Sequence, residues 1–241
     1  MKELRSNINI LGGYRDFDLI PEKIGNGSLK LDERTESSSK RYLKAIKETF
    51  LDFKNEELEK LFMTAMSSEK LSLQVKERIL ALQFYTVDPL FAQLFSECFV
   101  KIIMSGRAVL TKHDVISYLK ESIENGDINL DWSDETIQTA SRKFLTILKK
   151  LGYLEGKSKK RVTEVYNGSD FMIFYHYWLK ALGDASNVFE SDLFDLLLIT
   201  KEKYVFLMKQ DEIRDSLDWQ FTGNRFTVEP KLSLNEFVNE L

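Results

Sequence analysis

Between Asp131 and Tyr166 the chain carries, in order, a capped amphipathic helix, a glycine stop and a short basic hairpin, and this order leaves few folds open. Ser133 supplies a hydroxyl to cap the helix, and Asp134 and Glu135 fall in the first turn, where the helix dipole favours negative charge. Apolar side chains recur at Ile137, Ala140, Phe144, Ile147, Leu148 and Leu151, while Gln138, Thr139, Arg142, Lys143, Thr146, Lys149 and Lys150 fill the remaining arc. One face packs and the other is free to read a ligand. Gly152 stands where helices commonly end in a left-handed residue. Tyr153-Leu154 and the run from Arg161 to Tyr166 carry the aromatic and β-branched residues of two short strands, with Gly156 to Lys160 as the tip between them. A helix followed by a basic hairpin is the core of a winged helix, which makes double-stranded DNA the first partner to consider.

The charge distribution sharpens that expectation. The whole chain of 241 residues has a formal charge of −4, so affinity for nucleic acid must come from a local patch rather than from the overall field. From Ala140 to Tyr166 eight basic residues face two acidic ones, a local balance of +6, which leaves −10 for the rest. At 43% hydrophobic the chain can bury one substantial core or two small ones. Its single cysteine, Cys98, excludes an internal disulfide framework and fits a reducing cytoplasm. With only His113 and His176 beside it, a zinc site is not expected, and no cofactor or small-molecule substrate is implied. Residues 1–17 lack the apolar run of a signal peptide, and no stretch approaches the roughly 20 apolar residues needed to cross a bilayer. A soluble cytoplasmic protein is expected.

Along the chain, Gly12-Gly13, Pro21 and Gly25-Asn-Gly27 are spaced too densely for a regular helix, so residues 1–36 read as an extended arm. A helical domain over 37–106 follows. Its helices carry stripes at Tyr42, Leu43, Ile46 and Phe50, at Leu58, Leu61, Phe62 and Ala65, and from Leu73 to Tyr85; a last one starts at Asp88-Pro89, cap and first helical residue, and runs to Ile103. Thr111 opens the first helix of the winged-helix region over 107–168, and Asn125-Gly126 ends it. The connection from Asp127 to Trp132 is longer than the short turn of compact helix-turn-helix motifs. A C-terminal region over 169–241 holds helices from Asp170 to Leu182 and Val188 to Ile199, a hairpin around Gly223-Asn224, and a helix capped by Ser233 with Glu236. The fold class is mainly α: a multi-helix protein with a winged helix-turn-helix and a short β-hairpin wing.

Gln138, Thr139 and Arg142 are the helix side chains able to meet base edges in a major groove. Lys157, Lys159, Lys160 and Arg161 are suited to phosphates, each contact releasing counterions and making affinity fall with salt, and Lys143, Lys149 and Lys150 on the helix complete the expected DNA-binding set. A solvated basic loop is the bland alternative. Glu155-Gly-Lys157, with Asp131 or Asp134 upstream, also matches the end of a metal-dependent nuclease motif, but that chemistry needs a firm strand where this chain has Gly156 at a hairpin tip. Cys98 among Phe95, Phe99 and Val100 reads as core, and His113 and His176 as structural or surface residues.

Arg34-Thr-Glu-Ser37 leading into a helix, Asp88-Pro89, Asp131-Trp-Ser133 before Thr136, and Leu151-Gly-Tyr-Leu154 before a basic hairpin together resemble the BrxA family of bacteriophage exclusion (BREX) defence systems, over about residues 30 to 200. The resemblance implies a mostly helical, non-enzymatic protein that binds double-stranded DNA, encoded beside a methyltransferase, an ATPase and an alkaline-phosphatase-like protein. The tail after Ile199 is longer than the family leads one to expect. Residues and resemblance together point to a DNA-binding accessory protein of low sequence selectivity that works with other BREX-system proteins. A protein-protein adaptor within the same complex and a promoter-specific regulator remain as alternatives.

Overall fold

The computed structural model describes residues 6–31, 35–157, 160–184 and 186–241. The chain is mainly helical, with two small antiparallel sheets. In chain order the elements used below are α1 (Ile8–Leu11), α2 (Ile20–Gly25), α3 (Glu36–Phe50), α4 (Glu56–Ser67), α5 (Leu73–Val87), α6 (Pro89–Gln93) and α7 (Lys101–Met104). They continue with β1 (Val109–Leu110), α8 (Lys112–Glu124), α9 (Asp134–Lys150), β2 (Leu154–Glu155), β3 (Lys160–Val162) and α10 (Ser169–Leu182). The last are α11 (Lys201–Leu207), α12 (Asp211–Ser216), β4 (Leu217–Thr222), β5 (Arg225–Pro230) and α13 (Leu234–Glu240). Among the described residues no helix is long and apolar enough to cross a membrane.

The chain divides into two compact units: residues 1–20, 29–52 and 80–164 form one, and residues 21–28, 53–79 and 165–241 the other. Formal charge divides with them, +2 on the first and −6 on the second, so the acidity of the chain belongs to the second unit.

Local chemistry sets most of the boundaries. Side chains of Thr35, Asn55, Asp88, Thr111, Ser133 and Ser233 each accept a hydrogen bond from a backbone N–H of the first turn that follows, and Thr111 with Asp114 and Ser233 with Glu236 complete reciprocal capping boxes. Between α6 and α7 the helix does not stop. It winds more widely, as a π-helical stretch over Leu94–Val100, and Leu94, Phe95, Cys98, Phe99 and Val100 are all buried.

The first unit is held by a chain of aromatic contacts. Phe17 meets Phe50 at 6.0 Å between ring centroids, Phe50 meets Phe84 at 5.7 Å, Phe84 stacks on Phe91 at 4.3 Å, and Phe91 touches Phe144 of α9 at 5.9 Å. A branch runs from Phe91 through Phe95 to Tyr153, placing the chain just past the end of α9 in the same core.

Residues 8–25 depart from the extended arm expected of them. α1, a 3-10 turn over Phe17–Leu19 and α2 form instead, with Ile8, Leu11, Tyr14, Phe17, Ile20 and Ile24 buried. The glycines that suggested a break serve close approach. A side chain at Gly12 would begin 2.7 Å from the Cβ and 2.8 Å from the carbonyl oxygen of Lys143, so α1 rests directly on α9. At Gly25 it would begin 2.4 Å from the carbonyl oxygen of Met66.

In the second unit, Trp178 of α10 packs on Phe62 and Phe174, and Tyr177 stacks on Phe237 of α13 at 3.8 Å. Buried Arg78 donates to the carbonyl of Leu196 at 2.7 Å and lies over the ring of Phe171. The run Val188 to Ile199, expected as one helix, forms two 3-10 turns over Val188–Glu190 and Asp192–Leu197. Ser191 separates them in an extended conformation, its hydroxyl bonded to Asp184 and accepting from the N–H of Leu193. The hairpin expected around Gly223-Asn224 is present, pairing Phe221 with Phe226 and Trp219 with Val228.

His176 is buried on α10, 2.8 Å from the hydroxyl of Tyr204, and burial pulls its pKa down to about 3. An unfolded histidine takes its proton near 6.5, so this residue's contribution to stability is complete above that pH and is lost as the pH falls toward 3. Between pH 7 and pH 5 the wild type should lose about 2 kcal/mol more in urea unfolding than His176→Gln, which stays neutral. Gly12→Val should lower the stability of the first unit by about 1–3 kcal/mol, because backbone and Cβ atoms of α9 must move to admit it.

Candidate nucleic-acid interface

α9 begins at Ser133, whose hydroxyl accepts from the N–H of Thr136 at 3.3 Å, and it ends as expected before Gly152, which has a φ of +77°. Acids occupy its first turn and Lys149 and Lys150 its last, each agreeing with the helix dipole. Ile137, Ala140, Phe144, Leu145, Ile147 and Leu148 are buried. Ser141 is buried as well, its hydroxyl satisfied by the carbonyl of Ile137 at 2.8 Å. Gln138, Arg142 and Lys149 are exposed, and Thr139, Lys143, Thr146 and Lys150 lie half-buried along the border.

Beside this helix lies a three-stranded sheet in the order β1-β3-β2, in which β1 was not anticipated from sequence. Pairing sets which face each hairpin residue occupies. Leu110 stands opposite Lys160, and Leu154 opposite Val162, so Lys160 shares the face of two buried leucines. Arg161, opposite Val109 and Glu155, belongs to the other face. The two adjacent cations therefore serve different surfaces.

On the α9 side, Lys112, Arg142, Thr146, Lys157 and Lys160 line one recess of about 390 Å³. Among the described residues neither Arg142 nor Lys157 has a carboxylate partner. Lys112 reaches Gln138 Oε1 at 3.4 Å, and Lys149 and Lys160 both donate to the carbonyl of Gly156, at 3.1 and 3.3 Å. Burial, with Lys149 close by, holds the Lys160 amine below the ordinary lysine range. Nearby Arg107 is already neutralised, both its terminal nitrogens lying 3.0 Å from Asp114 carboxylate oxygens.

Lys143 and Lys150 face the other flank. The Lys150 ammonium donates to the carbonyl of Tyr14 and lies over the Phe17 ring at 5.2 Å, and burial lowers its pKa. Burial also lowers that of Lys143, with Arg142 and Arg41 adding repulsion. On this flank Gly13, Arg41, Tyr42, Glu135, Thr139 and Lys143 line a second recess of about 430 Å³. Lys159 lies outside the described residues. Sequence reasoning missed Lys112 and Arg41. The signal for Lys112 was its place directly after the Thr111 cap; nothing local marks Arg41.

The nuclease motif gains no support from this geometry. Glu155 is exposed on a two-residue strand opposite Arg161, and among the described residues no group of three or more histidine, cysteine or acidic side chains could hold a metal ion. Cys98 is buried and its thiol is pushed up to about 12 by burial, far from the range of a reactive thiolate.

Comparison with curated proteins yields no match. A family model described as BrxA matches residues 20–171, which is more than half of the chain and takes in α2 through β3 and the start of α10. The chain therefore belongs to the BrxA family, whose members are associated with BREX systems.

Proposed function

We propose that residues 107–168 act as a winged helix and that this protein is a non-enzymatic, cytoplasmic accessory of a BREX system that binds double-stranded DNA with low sequence selectivity. The observation that carries the reading is the convergence of Lys112, Arg142, Lys157 and Lys160, drawn from α8, α9 and the hairpin, on one recess beside the exposed face of α9. In this arrangement α9 enters the major groove and the hairpin meets a neighbouring phosphate backbone. Selectivity is low because few side chains are placed to read bases. Gln138 is already engaged by Lys112, which leaves Thr139 and Arg142 as the freer candidates on the helix.

The adaptor reading draws on a different observation. Phe206 and Phe221 of the second unit are 63% and 45% exposed, and exposed aromatics are common anchors of protein contacts, here toward other proteins of the BREX system.

Combined replacement of Arg142, Lys157 and Lys160 by alanine should weaken binding to a random duplex roughly tenfold or more and flatten the log-log salt slope by about 0.9 per lost phosphate contact. Fluorescence anisotropy across a salt series measures both. Wild-type affinity and slope in that variant would remove the basis for the DNA reading.

A further inference from the structure

The recess on the Lys143 flank of α9 is a second cationic site, built from three separate stretches of the first unit. Gly13 has no side chain, and the Lys143 ammonium occupies the room this leaves: a Cβ there would lie 3.0 Å from Lys143 Nζ and 3.3 Å from the Tyr42 hydroxyl. On α3, Lys40 pairs with Glu36 at 2.7 Å and Lys44 with Glu48 at 3.7 Å. Arg41, between them, has no carboxylate partner among the described residues, and neither does Lys143. The fold thus gathers two cations beside tyrosine and threonine hydroxyls, an arrangement whose repulsion an anion between them would relieve. Among the described lining residues Glu135 is the acid that opposes such an anion.

The two recesses take different side chains of one helix, Arg142, Leu145 and Thr146 lining the first and Glu135, Thr136, Thr139 and Lys143 the second. An α-helix with its side chains is about 10–12 Å across, and the major groove of B-form DNA is about 12 Å wide. A helix seated in that groove has a phosphate backbone on each side.

We propose that the recess between α3 and α9 receives a backbone phosphate from the strand across the major groove from the one met by the hairpin, with Arg41 and Lys143 as its cations and Tyr42 as hydroxyl donor. The inference rests on the DNA-binding reading and adds α3 and the glycine turn to the interface. It also gives Lys143 a defined place on the phosphate backbone.

Wild type, Arg41→Ala, Lys143→Met and Glu135→Gln are compared for binding to a random duplex from about 50 to about 200 mM salt, with unfolding midpoints measured alongside. Arg41→Ala should bind roughly three- to tenfold more weakly, with a salt slope smaller by about 0.9. Lys143→Met, which keeps the aliphatic stem against Gly12, should show the same loss while unfolding at or above the wild-type midpoint. Glu135→Gln should tighten binding. Wild-type affinity and slope in both Arg41→Ala and Lys143→Met, while the Arg142, Lys157 and Lys160 variant is impaired, would overturn this site alone. A wild-type protein that does not bind duplex at all would overturn the DNA reading and this inference with it.

Discussion

The carboxylate of Asp88 is 4% exposed and does two jobs at once: it accepts from the N–H of Phe91 at 2.9 Å, capping α6, and from the Ser6 hydroxyl and Asn7 N–H at 2.8 and 2.9 Å. Burial pushes this carboxyl up, and the donors around it work against that shift to keep the charge tolerable. The rest of the first unit is arranged around the stretch so anchored. Asn7 reaches Thr49 on α3 at 3.1 Å, Gly12 lies against α9, and the carbonyl of Tyr14 accepts from Lys150. One buried carboxyl thereby fixes the N-terminal turn on three helices, and that turn forms a wall of the recess on the Lys143 flank.

α9 can be understood through its borders more than through its exposed crest. Its apolar side is committed to the aromatic chain through Phe144, and its crest carries few groups. The cations concentrate where the helix meets a neighbour, the hairpin on one side and the N-terminal turn with α3 on the other. Positive charge is thereby set along both borders of the helix, while the −6 of the second unit belongs to other stretches of the sequence.

Much of α9 was legible in the sequence because its limits are chemical: a serine cap, acids in the first turn, a glycine at the end. Asp88-Pro89, Thr111, Gly223-Asn224 and Ser233 with Glu236 were legible for the same reason. The N-terminal region was not, since Gly12 and Gly25 read as breaks when seen alone, and only the neighbouring Lys143 and Met66 reveal them as points of close approach. β1 is two residues long, too short for alternation to register. The run after Val188 has helical apolar spacing, yet Ser191 satisfies its hydroxyl locally and turns the chain. The recesses could not be read at all: Arg41 and Lys143 are far apart in sequence, and so are Lys112 and Lys157.

The carbonyl of Gly156 has a further consequence. Its residue takes a φ of +94°, which glycine adopts without strain, and its oxygen accepts from both Lys149 and Lys160. Freezing a lysine side chain costs up to about 2 kcal/mol in rotamer entropy. Here that loss falls on folding, so the ammonium groups of Lys149 and Lys160 are held in place by one carbonyl before any partner arrives.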